Sequence, residues 1–401
     1  MDDQLAQVIG MRLQAARAAN RKTRVVVAGL TGITSDYLYQ IECGKKLPTL
    51  TVLTRLAAVL NVPPSRLLDE SQARAGDRTS MTETGTALYR ALTQPVAPYE
   101  PPPVAELHDH IRSAWRIWQT SPYRYSKVSH RLPTLVTDTE LSLRHDTSGG
   151  ERRAAQCCAV DLYTLLRTVT KRLGQVDLSL LVADRAIRAA DLADDPHRLA
   201  AARWNLAHVL LADHQTEGAE DVAMQAADAI HPLMKAGDLD AAAWYGALVL
   251  LGAVASVRQG EVWTARERVR AAAPLAARTG ERNVGWTAFG PTNVAMYAVS
   301  VEVEAGEAAE ALRMAEQVSF DRSPSIERRV AFLLDQAKGC EQRRDYASAL
   351  LLLQTASHQA PEDLAYRPAA QRLLGTVIQR GRRSVAHTAA QLAVHVGVPL
   401  G

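Results

Sequence analysis

Cysteine is scarce in this chain: four residues in 401, Cys43, Cys157, Cys158 and Cys340, with no CxxC spacing. Adjacent cysteines are poorly placed to bond to each other, so the pattern excludes a disulfide framework and a zinc ribbon and points to reduced thiols in a cytoplasmic protein. Aromatic residues make up only 5%, with three Phe, while Ala and Leu abound. That balance disfavours sheets and predicts an all-α chain. Long apolar runs are also missing. The longest stretch, Ala241–Val257, is short and interrupted by Gly and Trp-Tyr, and the acidic, amphipathic start is no signal peptide, so no membrane partner is expected. There is no Walker loop, dinucleotide glycine fingerprint, HExxH or nucleophile elbow. His108 and His110 are two apart on a helical pattern and point away from each other. The chain therefore reads as a non-enzyme with neither cofactor nor metal.

What is present is concentrated at residues 23–48, TRVVVAGLTGITSDYLYQIECGKKLP. Thr23 is placed to cap a short helix, Gly32 to end it, and Thr34 to cap a second helix that closes near Cys43-Gly44. Ala28 is small enough for two helices to cross, and Val27, Leu38 and Ile41 supply apolar packing. Ser35, Asp36, Tyr39 and Gln40 then face outward from the second helix, where short polar side chains suit a DNA major groove. Lys45 and Lys46 follow where phosphates would lie. Before this motif, Leu5, Ile9, Leu13 and Ala16 have helical spacing. After it, Thr49 heads a helix with Leu53, Leu56 and Leu60 on one face, and Pro64–Leu68 makes a final turn.

Five short helices in this order resemble the phage-repressor-like (Cro/C1, or XRE) helix-turn-helix family, from Ile9 to Leu68. The resemblance implies that Arg17 on the first helix and Glu42 at the end of the recognition helix form a structural ion pair. It also implies base reading by Ser35, Asp36 and Gln40: Gln40 could pair bidentately with adenine, and Asp36 accept from a cytosine amine. Where the family often has a Gln that contacts phosphate, this chain has Arg24, which can still serve. Val25 and Val26 depart from the polar residues usual there and suit a local apolar contact or a dimer surface.

Formal net charge is only +3, but residues 1–66 hold nine Lys or Arg against four Asp or Glu. The basic excess thus sits on the expected DNA-binding domain, residues 1–70, where counterion release would use it. So modest a patch implies weak binding by one copy, and hence a homodimer on a palindromic operator in double-stranded DNA. Residues 71–103 read as a linker, polar at first, then a short helical stretch, then TQPVAPYEPPP.

Residues 104–401 carry a repeat. Small residues recur at Ala207, Ala219 and Ala226, at Ala253, Ala265 and Ala272, and at Ala337, Ala349 and Ala356, twelve and seven apart each time. This is the spacing of tetratricopeptide (TPR) helical hairpins, with turns expected at 213–216, 259–261, 305–307 and 344–346. The expected architecture is a TPR-like α-solenoid whose concave face is lined by the first helix of each hairpin. Arg203, Trp204, Asn205 and His208, then Trp244 and Tyr245, then Trp286, Phe289, Asn293 and Tyr297 fall on those helices. Asn205 and Asn293 are amides that an apolar helix does not need for packing, and Phe289-Gly290-Pro291 interrupts its helix. The candidate ligand residues are Arg203, Asn205, His208, Tyr245, Trp286, Phe289, Asn293 and Tyr297. Arg328-Arg329 and Arg380, Arg382 and Arg383 read as exposed basic runs.

Over nearly its full length the chain resembles actinobacterial XRE regulators with a C-terminal TPR-like domain. Tyr123–Leu135, Leu180–Ala190, Ala243–Leu251, Phe289–Val294 and Arg328–Ala337 carry the likeness. More distantly it is similar to the peptide-sensing regulators of Gram-positive quorum sensing. The resemblance implies a cytoplasmic transcription regulator whose helical-repeat domain dimerises and senses a small molecule, peptide or protein. The competing expectation is a protein-interaction scaffold that uses DNA binding only for localisation.

Overall fold

The computed structural model describes residues 22–60, 78–94, 99–144 and 149–398, with residues 62 and 64 and isolated positions between 6 and 20. Leu5 and the expected turn at 65–68 lie outside the described residues. The chain divides into two compact units, one over residues 1–79 and one over 80–400. Among the described residues there is no strand.

In the first unit, α1 (Arg24–Thr31), α2 (Ser35–Glu42) and α3 (Leu50–Val59) are each headed by a threonine. The Oγ1 of Thr23, Thr34 and Thr49 accepts from the backbone N–H of Val26, Tyr37 and Val52. Each cap answers a donor that the first helical turn leaves without a partner. Gly32, at φ 75°, ends α1 in the left-handed region, and the Ile33 N–H returns to the Ala28 carbonyl at 3.0 Å. That closure aims α2 across α1. The core joins Ile9 and Leu13 to Val27, Ala28, Leu38, Ile41, Leu53, Leu56, Ala57 and Leu60. A second small residue also permits the packing, because a Cβ on Gly10 would collide with the Ile41 carbonyl oxygen.

The second unit is a stack of helices. α4 (Arg78–Thr93) falls in the span expected as a linker, yet Leu88 and Leu92 are buried with Leu107 and Ile111 in a shared core. This apolar face removes the helix from any role as a spacer. α5 (Val104–Thr120), α6 (Arg124–Ser129) and α7 (Leu132–Arg144) follow. Helical hairpins come next: α8/α9 (Gly149–Arg172, Val176–Ala193), α10/α11 (Pro196–Ala212, Thr216–Lys235), α12/α13 (Leu239–Arg258, Val262–Thr279), α14/α15 (Pro291–Glu304, Ala308–Ala315) and α16/α17 (Ile326–Gln342, Tyr346–Gln359). α18 (Pro361–Tyr366), α19 (Pro368–Arg380) and α20 (Arg383–His395) complete the described chain. Breaks of three residues force each pair to run antiparallel.

All nine alanines of the three triplets are buried at 0–1% exposure, so the 12-and-7 spacing marks where paired helices touch. The same register runs through Val299, Ala311 and Val318, and through Arg167, Ser179 and Ala186. The sequence pattern hides these two hairpins because their first residues are not small. The last turn falls at 343–345, one residue earlier than expected. α12 is long and apolar enough to cross a membrane, but 89% of its apolar window is buried inside the unit.

One glycine here has a sharp packing reason. A Cβ on Gly246 would overlap the ring of Phe289, which is fully buried. Helix propensity alone makes Gly246→Ala stabilising by about 1 kcal/mol, whereas overpacking predicts a loss of about 1–3 kcal/mol. We expect the loss. Urea unfolding followed by tryptophan fluorescence reports it, since all six tryptophans lie in the second unit.

Candidate nucleic-acid interface and internal cavity

On the first unit, α2 turns Leu38 and Ile41 into the core and so presents the opposite face to solvent. Asp36 and Tyr39 are exposed and Ser35 and Gln40 half-exposed. Lys45 and Lys46 are exposed just beyond the helix, where their N–H groups return to the Gln40 carbonyl at 2.8 and 3.3 Å. The Lys46 ammonium sits 5.7 Å from the Tyr37 ring centroid. Thr23 and Thr34 spend their hydroxyl oxygens on helix capping. The Gln40 Oε1 is shielded from solvent and has no hydrogen-bond partner among the described residues.

Arg17 and Glu42 meet with Arg17 Nε 2.6 Å from Oε1 and Nη2 3.1 Å from Oε2, and Arg17 Nη1 also donates to the Lys22 carbonyl at 3.1 Å. A third member is absent from the sequence reading: Arg24 Nε donates to Glu42 Oε2 at 2.6 Å. The Glu42 side chain is only 1% exposed. Burial pushes its carboxyl up, but hydrogen bonds from Arg17 and Arg24 outweigh burial and hold it below the usual carboxylate range. Arg24 also lies 5.0 Å over the Tyr39 ring. A phosphate contact by Arg24 therefore competes with Glu42. Lys45 and Lys46, by contrast, are exposed and have no carboxylate partner among the described residues.

The second unit holds a cavity of about 100 Å³ whose walls include Arg167, Lys171 and Arg172 of α8, Trp204 and His208 of α10, Tyr297 of α14, and Glu327 and Arg328 of α16. Trp115 and Trp286 close it, stacked with centroids 5.4 Å apart and planes 9° from parallel. Of the residues expected on the inner face, Trp204, His208, Trp286 and Tyr297 line this cavity directly. Asn205 and Asn293 stand behind it. The Asn205 Oδ1 accepts from Arg167 Nε at 2.5 Å, and the Asn293 Oδ1 accepts from Arg328 Nε at 2.8 Å. Each amide is anchored in turn, Asn205 Nδ2 on the Ala201 carbonyl and Asn293 Nδ2 on that of Thr287. These two amides are buried because they position guanidinium groups.

Phe289, Tyr245 and Arg203 do not line the cavity. Phe289 is core against Gly246, and Tyr245 packs on His231 with centroids 5.2 Å apart. Trp286 and Phe289 are not helical: α13 ends at Gly280, a short 3-10 turn spans Val284–Trp286, and Pro291 is the first residue of α14. Pro fits that position because its missing N–H would have no helical acceptor there. Trp286 (φ 66°) and Ala288 (φ 54°) both sit in the left-handed region. For non-glycine residues this costs of order 1–3 kcal/mol each and concentrates at functional sites.

Sequence reasoning missed the cations. Arg328 was assigned to an exposed run, but it is half-buried and lies 4.3 Å over the Tyr297 ring. Arg380, Arg382 and Arg383 are exposed. Arg167 could have been found from the repeat, since it takes the alanine position of its hairpin and so must face a neighbouring helix. Burial drives the Arg167 guanidinium down to about 9. Burial first, and then repulsion from Arg172 and Arg167, hold the Lys171 ammonium well below its ordinary value. Burial and the same cations keep His208 neutral. Only Arg172 is fully answered, by Glu327 at 2.5 Å.

The first unit is a helix-turn-helix domain and the second a stack of helical hairpins. The family described as "helix-turn-helix domain" matches residues 8–69. No curated protein matches the chain. Among solved structures, Bacillus thuringiensis PlcR in complex with the peptide PapR7 and DNA is similar at 10% identity and a TM-score of 0.28, covering 86% of this chain and 99% of that one. The apo competence regulator ComR of Streptococcus vestibularis is similar at 17% identity and a TM-score of 0.21, covering 68% and 93%. Apo ComR of S. thermophilus follows at 14% and 0.21, covering 90% and 98%.

Proposed function

We propose that the chain is a cytoplasmic, sequence-specific DNA-binding transcription regulator, with residues 1–70 as its DNA-binding domain. The observation that supports this reading most is the solvent face of α2: exposed Asp36 and Tyr39 with half-exposed Ser35 and Gln40, beside exposed Lys45 and Lys46, on a domain matched as helix-turn-helix. Ser35, Asp36 and Gln40 read bases and the lysines hold phosphates. Gln40→Ala should cost roughly 1–3 kcal/mol at the cognate site and relax specificity at one base pair. Lys45→Ala or Lys46→Ala should weaken all duplexes alike and flatten the salt dependence. Fluorescence anisotropy on a randomised-site series separates the two. A Gln40→Ala loss equal on every duplex removes the base-reading role.

The reading includes a homodimer on a palindromic operator, formed by the helical-hairpin unit, and a signal in that unit that changes operator affinity. A coupling of about 1–3 kcal/mol, roughly 5–150-fold, is the expected scale. Light scattering on a fragment beginning at residue 78, which retains the buried Leu88 and Leu92, should give a dimer at micromolar concentration. A monomeric fragment with a dimeric full chain moves the interface to the first unit.

A further inference from the structure

We propose that the cavity of the second unit is an anion site, taking a small molecule that bears a carboxylate or phosphate beside a flat apolar part. Lys171, Arg167 and Arg328 hold the anion, and Trp204 and Trp286 hold the apolar part. The inference rests on the sensing role proposed above and names the chemistry of the signal.

The first ground is uncompensated charge. Four cationic side chains, Arg167, Lys171, Arg172 and Arg328, line the cavity against one carboxylate, Glu327, and Glu327 is engaged by Arg172. Lys171 has no hydrogen bond or ion pair to any described residue. Arg167 donates only to the neutral Asn205 amide among the described residues. The Arg328 Nη2 is buried without a hydrogen-bond partner among the described residues. Arg167, at 5% exposure, is a buried cation that no carboxylate neutralises, which is costly, and the rest of the unit avoids that cost. Arg124 is answered by Asp363, Arg198 by Asp161 and Asp195, and Arg266 by Glu302. The unpaired donors are gathered in one place and point to an anion from outside the chain.

The second ground is that the donors are held in position. Asn205 and Asn293, both 3% exposed, fix the Arg167 and Arg328 guanidinium groups from behind. Arg guanidinium groups so oriented suit carboxylate or phosphate oxygens. The third ground is the wall opposite. The left-handed Trp286 and Ala288 fix a loop that lays Trp286 on Trp115, and Gln119 Nε2 donates to the Trp286 carbonyl at 3.0 Å. At about 100 Å³ the cavity has several times the room one water needs, and it suits an anionic group with a small ring. Of a peptide it could take only the terminal carboxylate.

The test uses the full-length protein and isothermal titration at constant ionic strength. Benzoate, phenyl phosphate and inorganic phosphate are the anionic probes and benzyl alcohol the neutral control; a short peptide with a free or an amidated C-terminus separates a peptide source from a free small molecule. Saturable binding of at least one anion, with none of benzyl alcohol, is expected. Lys171→Met and Arg328→Met should each weaken it roughly tenfold or more. No saturable anion binding, or binding unchanged in both variants, overturns the proposal. Anion binding that leaves operator affinity unchanged supports the site and removes only the sensing role.

Discussion

Replacing Glu42 with alanine should loosen the helix-turn-helix unit by about 3–5 kcal/mol, the usual cost of removing one partner from a buried ion pair. Two arginines lose their counterion at once, since Arg17 and Arg24 each lie 2.6 Å from a different Glu42 oxygen. The first unit contains no tryptophan, so hydrogen exchange read on peptides covering residues 22–60 is the measurement. Protection there should fall by roughly two to four orders of magnitude, with the second unit unchanged. Protection unchanged across α1 and α2 would show that the triad contributes little. The same carboxylate sets an acid limit. Its folded value lies below its unfolded one, so the stabilisation is complete above the unfolded value, near pH 4 to 4.5, and is lost as pH falls through the folded value. Wild-type protection should drop only below about pH 4, and Glu42→Gln should abolish that pH dependence.

The second large effect lies at Asp363. Its side chain and that of Arg124 are 0% exposed, and Arg124 Nη2 reaches both carboxylate oxygens at 2.6 and 2.5 Å. Arg367 Nε adds a bond at 2.8 Å, and Arg124 lies 4.9 Å over the Trp118 ring. The pair ties α6 to α18, 239 residues apart in sequence. Asp363→Ala leaves Arg124 buried with no carboxylate and should cost about 3–5 kcal/mol, seen as an earlier urea transition in tryptophan fluorescence. An apolar pair of similar volume removes the Arg124 charge, and Arg367 keeps Glu327 at 3.8 Å, so Arg124→Met with Asp363→Leu should recover at least half of the loss. If the double variant is less stable than Asp363→Ala, the arginine contributes through its stacking on Trp118 and not through its charge.

Elements whose signal is local were legible in the sequence. Thr23, Thr34 and Thr49 cap because a hydroxyl can reach an N–H two or three residues on, and Gly32 ends α1 because only glycine enters the left-handed region without strain. The alanine triplets were legible for a related reason: close helix contact excludes larger side chains at fixed intervals along each hairpin. The same logic failed at Arg167 and Val299, which occupy the contact register with larger side chains, and it placed Trp286 and Phe289 on a helix that begins only at Pro291. The chain leaves the helix over Gly280–Gly290, with Gly280, Gly285, Trp286 and Ala288 all at positive φ.

The sequence by itself determined the all-α class, the caps and turns of the helix-turn-helix unit, and the hairpin spacing, because each is set by residues within one or two helical turns of one another. Tertiary structure decided which charges meet. That Arg24 joins Glu42, that Asp363 answers Arg124, and that Arg167, Lys171 and Arg328 gather around one cavity depends on packing between helices distant in sequence. The physical reason is that the balance of buried charge belongs to a place in the folded chain, and no local spacing encodes which side chains share that place.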